Sequence, residues 1–265
     1  MLRQLLAKNS STEFRLRGKE PGRLENFSDA VFALAITLLL ISTSPPTSFE
    51  QIKRFALDVI PFSICMTLII LIWHEHYVFF ARYGLRSGKV VALNALFLVI
   101  VLFYVYPLKF LTKLSLFIVA YFFDVDWLWE SLRSMIHGKD IGDLMVIYGI
   151  GASSIFFVLM LMYRFAYKNA DSMQLTEMEM FDTRVSIRTN LLMALVPLIS
   201  VIIAFILKPH WTAGMISGFS YFLYLPIMFI HSRKVDMDRK KIVIHTGEST
   251  LVEGFELGSS TSKDD

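Results

Sequence analysis

The side chains able to do chemistry are few and stand at the edges of apolar runs. Arg23, Glu25, Ser28 and Asp29 open the stretch Val31 to Ile41. His74, Glu75 and His76 follow Trp73 in LIWHEHYVFF, and Asn94 interrupts VVALNALFLVI. Three chemistries are conceivable for such groups: metal ligation, proton transfer, or a hydrogen-bond cluster that joins helices. Metal ligation fits poorly. His74 and His76 are two residues apart and point about 200° from each other on a helix, and the H-E-x-x-H spacing of zinc proteases is absent. Nucleophilic catalysis fits no better. Ser153 and Ser154 in GASSIFF and Ser220 in GFSYF have no adjacent base and no G-x-S-x-G frame.

The cost of placing these groups narrows the choice. A carboxylate at the centre of a membrane helix costs about 2.5–3.5 kcal/mol on insertion scales, and less near an end. Asp29 should therefore face protein, and a His and an Asn inside apolar runs need partners. Trp73, His76 and Asn94 fall near the expected depth of Ser28 and Asp29. The residues thus predict a buried hydrogen-bond cluster fixing the first helix against the second and third. The alternative is snorkelling to the headgroups. A secondary transporter using an intramembrane Asp/His relay also stays open.

The opposite face of the first helix is built differently. At 100° per residue, Phe27, Val31, Leu38 and Ile41 lie within about 60° of Leu34 and form one apolar stripe. Thr37 lies about 60° to one side of it, and Asp29 about 140° away. Lipid contact or core packing would explain such a stripe alone.

These helices belong to a membrane protein. The chain has 265 residues, 55% of them hydrophobic, with 23 Phe and only 18% charged. Its mean hydropathy is +0.55. A soluble domain carries about a quarter charged residues. Six spans of about 20 apolar residues are predicted: Phe27 to Ser44, Ile52 to Ala81, Val90 to Phe110 with apolar residues continuing to Phe123, Ile141 to Tyr163, Ile187 to Leu207, and Trp211 to Ile230. Pro61 is placed to kink the second, and Pro107 to end or bend the third. The chain divides into an N-terminal tail (1–25), a transmembrane domain (26–231) and a C-terminal tail (232–265).

Nineteen of the 26 Lys and Arg fall in the two tails, the turn RYGLRSGK and the loop after span four. The positive-inside rule then places both termini in the cytoplasm. The loop DVDWLWESLRSMIHGKD is expected on the outer interface as a short amphipathic helix. The tail carries a β-prone patch, KIVIH, and ends in GSSTSKDD, expected to be disordered. The N-terminus lacks the apolar core of a signal peptide. The single cysteine, Cys65, excludes an intrachain disulfide. A net charge of +3 is no nucleic-acid footprint. Small residues Gly149, Gly151, Ala152 and Ser153 suit close helix packing, and the Met-rich QLTEMEMF is expected to make an interfacial contact. No repeated halves appear, which disfavours an inverted-repeat transporter.

R-x-x-x-F-S-D, as Arg23, Phe27, Ser28 and Asp29, followed by AVFALAITLLLI, resembles the motif of the transmembrane protein 175 family of potassium channels. The Trp73/His76 pair, Asn94 and Pro107 are similar to that family's pattern as well. The resemblance covers residues 23 to 110 by motif and the rest by span count. It implies an all-α channel whose six-span unit, single as in bacterial members, assembles as a homotetramer in a prokaryotic plasma membrane. Helix one alone would line the pore. Its constriction would be rings of aliphatic side chains, first at Leu34 and then at Leu38 and Ile41, with Thr37 hydroxyls beside Leu34. The permeant ion would be K⁺, with no cofactor and no resident metal. Ala30 stands where bacterial members often have Gly, and Leu34 where several have Ile. Arg23 is near the pore sector by angle, so it is expected to turn away toward Asp29 or the cluster.

Overall fold

The computed structural model describes residues 14–41, 47–49, 51–52, 56, 58–123, 140–208 and 212–260, and the side-chain surroundings of all but 41, 109, 111–123 and 243–260 of these. The described residues are helical apart from the extended segment 14–22 and short turns. Among the described residues the α-helices are, in order, α1 (Arg23–Ile41), α2 (Val59–Tyr83), α3 (Gly88–Phe123), α4 (Ile141–Lys168), α5 (Glu177–Leu207), α6 (Thr212–Phe219) and α7 (Tyr224–Ser260). Among the described residues, five segments are long and apolar enough to cross a membrane: α2, the first 21 residues of α3, α4, α5, and α6 running into α7. With α1, whose Arg23, Glu25 and Asp29 shorten its apolar run, they make six.

From α1 to α5 successive helices run antiparallel, so the start of α1, the end of α2, the start of α3, the end of α4 and the start of α5 share one end, rich in Lys and Arg. A Phe-rich core runs through the bundle, including Phe32, Phe79, Phe80, Phe97, Leu159 and Tyr163. The tightest helix pair is α4 on α5. A Cβ on Gly149 would sit 2.8 Å from the Pro197 carbonyl oxygen, so the two backbones meet where only glycine fits.

Several boundaries differ from those expected. The second span begins at Val59 and not at Ile52, and Pro61 falls in its first turn, where a missing N–H costs nothing. It therefore starts the helix cleanly instead of kinking it. Gly84, at φ 59°, ends α2 by donating its N–H to the Phe80 carbonyl at 2.9 Å, a left-handed cap that suits glycine. Helix α3 passes through Pro107 to Phe123. Helix α5 starts ten residues before the apolar run because Thr176 and Glu179 form a reciprocal capping box.

The sixth span is broken by a 3₁₀ turn at Ser220–Leu223. There the Ser217 carbonyl accepts hydroxyls from Ser200 at 2.9 Å and Ser220 at 2.5 Å. Such side-chain donors compete with the helical N–H and tighten the turn.

KIVIH is helical, and α7 extends through Gly258–Ser260, against the expected β-prone patch and disordered end. Three contacts hold the earlier part of α7 on α5. Tyr224 donates to the Met193 carbonyl at 2.8 Å, Thr189 and His231 lie 3.0 Å apart, and Arg239 pairs with Asp182 at 2.6 Å. A helix anchored this way elongates at little further cost. The loop Asp124 to Lys139, where an interfacial helix is expected, lies outside the described residues, as does 261–265.

Candidate functional site

Helix α1 begins where Pro21 and Gly22 end an extended segment. Glu25, in its first turn, accepts the Gly22 N–H at 3.2 Å and lies 3.8 Å from the Arg86 guanidinium. A Cβ on Gly22 would meet that guanidinium at 2.6 Å. The carboxylate thus caps the helix and suits its positive end.

From there the helix divides into two faces. Glu25, Ser28, Phe32, Ala35 and Leu39 are buried, at alternating spacings of three and four. They pack against α2 and α3. Arg23, Phe27, Ala30, Leu34 and Thr37 are exposed. Phe27 is 62% exposed and Leu34 51%. Val31 and Leu38 lie half-buried at the margin. Ile41 ends the helix, its side-chain surroundings outside the described residues. Thr37 donates its hydroxyl to the Ala33 carbonyl at 2.9 Å, which settles the hydroxyl proton and leaves oxygen lone pairs free.

On the buried face the polar side chains form a directed chain. The His76 Nε2 and Asn94 Oδ1 atoms are 2.7 Å apart, Asn94 Nδ2 donates to Ser28 Oγ at 2.9 Å, and Ser28 donates to the Leu24 carbonyl at 2.8 Å. Since the amide oxygen can only accept, His76 donates from Nε2. The imidazole stacks on Phe97 with ring centroids 5.3 Å apart and planes 8° from parallel, and lies against Phe80 and Phe32. Every bond runs within or between α1, α2 and α3. The chain ties three helices together and leads across none of them.

Trp73 donates its indole N–H to Asp29 Oδ1 at 2.8 Å, a second tie between α1 and α2. The structure thus brings together Ser28, Asp29, Trp73, His76 and Asn94. Arg23 does not join them. Six residues, about 120° of turn and about 9 Å of rise, separate it from Asp29. It is exposed, and among the described residues no ion pair joins the two.

The profile of the family described as "Endosomal/lysosomal potassium channel TMEM175" matches residues 23–104, the three helices just described. A protein of Marivirga tractuosa named "Potassium channel" is 44% identical over 232 residues, 87% of this chain and 94% of that relative. The chain belongs to the TMEM175 potassium-channel family. A crystal structure of the potassium channel MtTMEM175, a variant bound to a nanobody–MBP fusion, superposes with a TM-score of 0.76 at 44% identity, over 85% of this chain and 98% of that one. A Chamaesiphon minutus homolog of the lysosomal potassium-selective channel TMEM175 shares the fold at a TM-score of 0.50 and 17% identity, over 81% of this chain and 97% of that one. TMEM175 relatives are channels and not enzymes, and none of these similarities points to a coupled transporter.

The motifs alone missed a second set of positioning residues in this TMEM175 chain. Residues 14–20 pack against the basic end of the bundle. Gly18 N–H donates to the Ala81 carbonyl at 3.1 Å and Arg17 N–H to that of Arg82 at 3.3 Å. The Arg17 side chain reaches both carboxylate oxygens of Glu179, at 3.1 and 2.7 Å, and the Arg15 N–H donates to the same carboxylate at 2.9 Å. Phe14 packs edge-on to Tyr83. The signal for half of this was legible: T-E-M-E, Thr176 to Glu179, is a capping-box pattern inside the Met-rich stretch. The partner was not, because 162 residues separate Arg17 from Glu179.

Proposed function

We propose that four copies of this chain form a passive K⁺ pore in a prokaryotic plasma membrane, with α1 of each facing the axis and both termini cytoplasmic. The observation that carries the reading is the division of α1. Its buried face is tied by hydrogen bonds to α2 and α3, while Phe27, Leu34 and Thr37 are left uncovered by the chain's own residues. Four copies around an axis would cover that face.

Leu34 makes the first ring, with Leu38 and Ile41 further along. Meeting side chains of this kind form a dry constriction that stops ions by dewetting when narrow. Opening widens the ring until a partly hydrated cation passes. Potassium sheds water more readily than sodium, so a tight apolar ring favours it. Thr37 oxygens lie beside Leu34 and offer partial replacement for lost water. Arg23 sits about 16 Å before Leu34 along the axis, at the mouth. There water and salt screen its charge over about 8–10 Å.

The test is liposome flux of K⁺ against Na⁺ for the native chain and Leu34→Ala. Potassium-favouring, uncoupled flux that grows or loses selectivity in the variant is expected. Flux indifferent to Leu34, or no uncoupled flux at all, would overturn the assignment.

A further inference from the structure

Beyond the pore, at the basic end of the bundle, α5 and α7 enclose a cleft of about 310 Å³ lined by Phe181, Arg184, Val185, Arg188, Asp238, Lys241 and Ile242. Arg184 and Arg188 are one turn apart and project from one face of α5. Lys241 comes from α7 opposite. Three cations thus face a single carboxylate, over a floor of Phe181, Val185 and Ile242. Among the described residues neither Arg188 nor Lys241 forms an ion pair, and Arg184 lies 5.9 Å from the Tyr167 ring. The cleft's own acid, Asp238, leaves it positive. The neighbouring acid, Asp182, is already taken by Arg239.

The depth of the cleft identifies its ligand. Arg188 is the last charged residue of α5 before an uncharged run to Leu207. The Thr189–His231 bond sets the register of α7 at this level, and the Arg239–Asp182 pair lies about 10 Å further out along both helices. Arg188 therefore lies at the headgroup layer, with Arg184 one turn and Lys241 further out, their long side chains reaching into the same cleft. Basic pockets between membrane helices at this height suit anionic headgroups.

We propose that this cleft is a binding site for the phosphate of an anionic phospholipid, clamped by Arg184, Arg188 and Lys241, which joins α5 to α7. Arginine forks match phosphate oxygens in pairs. Asp238 limits the affinity by repulsion.

The experiment is native mass spectrometry of the full-length purified protein with phosphatidylglycerol or phosphatidylcholine in detergent. Phosphatidylglycerol binds the native protein more tightly. Each cation removed weakens it roughly fivefold, so Arg184→Gln with Arg188→Gln costs roughly 25-fold. Lys241→Gln, at an exposed position that leaves the helix packing intact, costs roughly fivefold, and Asp238→Asn tightens binding. Equal binding of the two lipids, or native affinity in both the double variant and Lys241→Gln, overturns the proposal. Displacement of phosphatidylglycerol by an equal concentration of inorganic phosphate overturns the lipid source and assigns the site to a soluble anion.

Discussion

Asn94→Leu should destabilise the bundle more than its single side chain suggests, and a second substitution should recover part of the loss. Asn94 is 1% exposed, and His76 is 2% exposed among Phe32, Phe80 and Phe97. Interhelical side-chain bonds in membrane proteins are worth about 0.6 kcal/mol on average, and at most about 1.7. Asn94 makes two of them, so the bonds alone account for about 1–2 kcal/mol. The larger effect is the orphan. With the amide gone, the His76 Nε2–H faces aromatic rings and leucine, at a cost of about 1–3 kcal/mol. Ser28 suffers little, because its hydroxyl still donates to the Leu24 carbonyl. The sum is about 2–5 kcal/mol, or a fall in melting temperature of roughly 4–20 °C for a chain of this size. Replacing both partners removes the orphan, so His76→Leu with Asn94→Leu should be more stable than Asn94→Leu alone. Trp73→Phe supplies the comparison. It frees Asp29 at an exposed position, where water replaces the lost donor, and should cost less than Asn94→Leu. Thermal unfolding of the four proteins in one detergent reads all of this. A double variant no more stable than Asn94→Leu, or a Trp73→Phe protein less stable than Asn94→Leu, would refute the reasoning from orphaned donors.

Arg17→Ala strips the guanidinium from a Glu179 that is 2% exposed but leaves it the Arg15 and Thr176 N–H donors, so it should cost about 1–3 kcal/mol; faster tryptic cleavage at Arg15 and Lys19 in the folded protein is the readout, and unchanged cleavage refutes the tether. Gly18→Ala drives a Cβ into the Phe80 carbonyl and should release the same segment, whereas Glu20→Ala, at an exposed side chain whose backbone carbonyl alone is bonded, should leave it docked. Thr37→Val keeps the helix and removes the free oxygen lone pairs, so the K⁺ to Na⁺ permeability ratio should fall severalfold with conduction retained; an unchanged ratio assigns selectivity to the aliphatic rings alone.

What the sequence revealed and what it hid have a common cause. Groups that are expensive to bury announce themselves. Asp29, His76 and Asn94 are costly inside apolar runs, and their period and depth bring them into reach across three helices. The 100° count likewise separates the face of Leu34 from that of Ser28. Contacts that depend on where a loop lands leave no local periodicity. Arg17 looks like one more charge in a basic tail, yet it is held by Glu179 across the bundle. The length of α7 was hidden for a related reason. KIVIH is β-prone by composition, but anchoring by Tyr224, His231 and Arg239 outweighs a propensity of a few tenths of a kcal/mol per residue. Arg23 was misplaced because charge complementarity was weighed before reach. The indole of Trp73 was the nearer partner for Asp29.

The position of the polar ties along α1 bears on how an apolar constriction can work. A filter made of backbone carbonyls sets its own geometry, because the ligands are part of the main chain. A ring of leucines has no such constraint, and its width follows the placement of the helices that carry it. In a four-fold pore every displacement of α1 is repeated four times around the axis, so a small shift changes the opening on all sides at once. The buried chain from His76 to Leu24 and the Trp73–Asp29 bond fix the first two turns of α1 to α2 and α3. Leu34 lies only about 9 Å beyond Ser28 along the axis, near enough to inherit that placement. Beyond it, α1 is held on its buried face by Ala35 and Leu39 through apolar packing, which has no directional bonds to break. On the proposed pore, the costly polar groups stand just before the level of the first ring. A Leu34 constriction would demand precision from the scaffold, and the R-x-x-x-F-S-D segment would meet that demand through Ser28 and Asp29 while leaving Phe27 and Leu34 on the uncovered face.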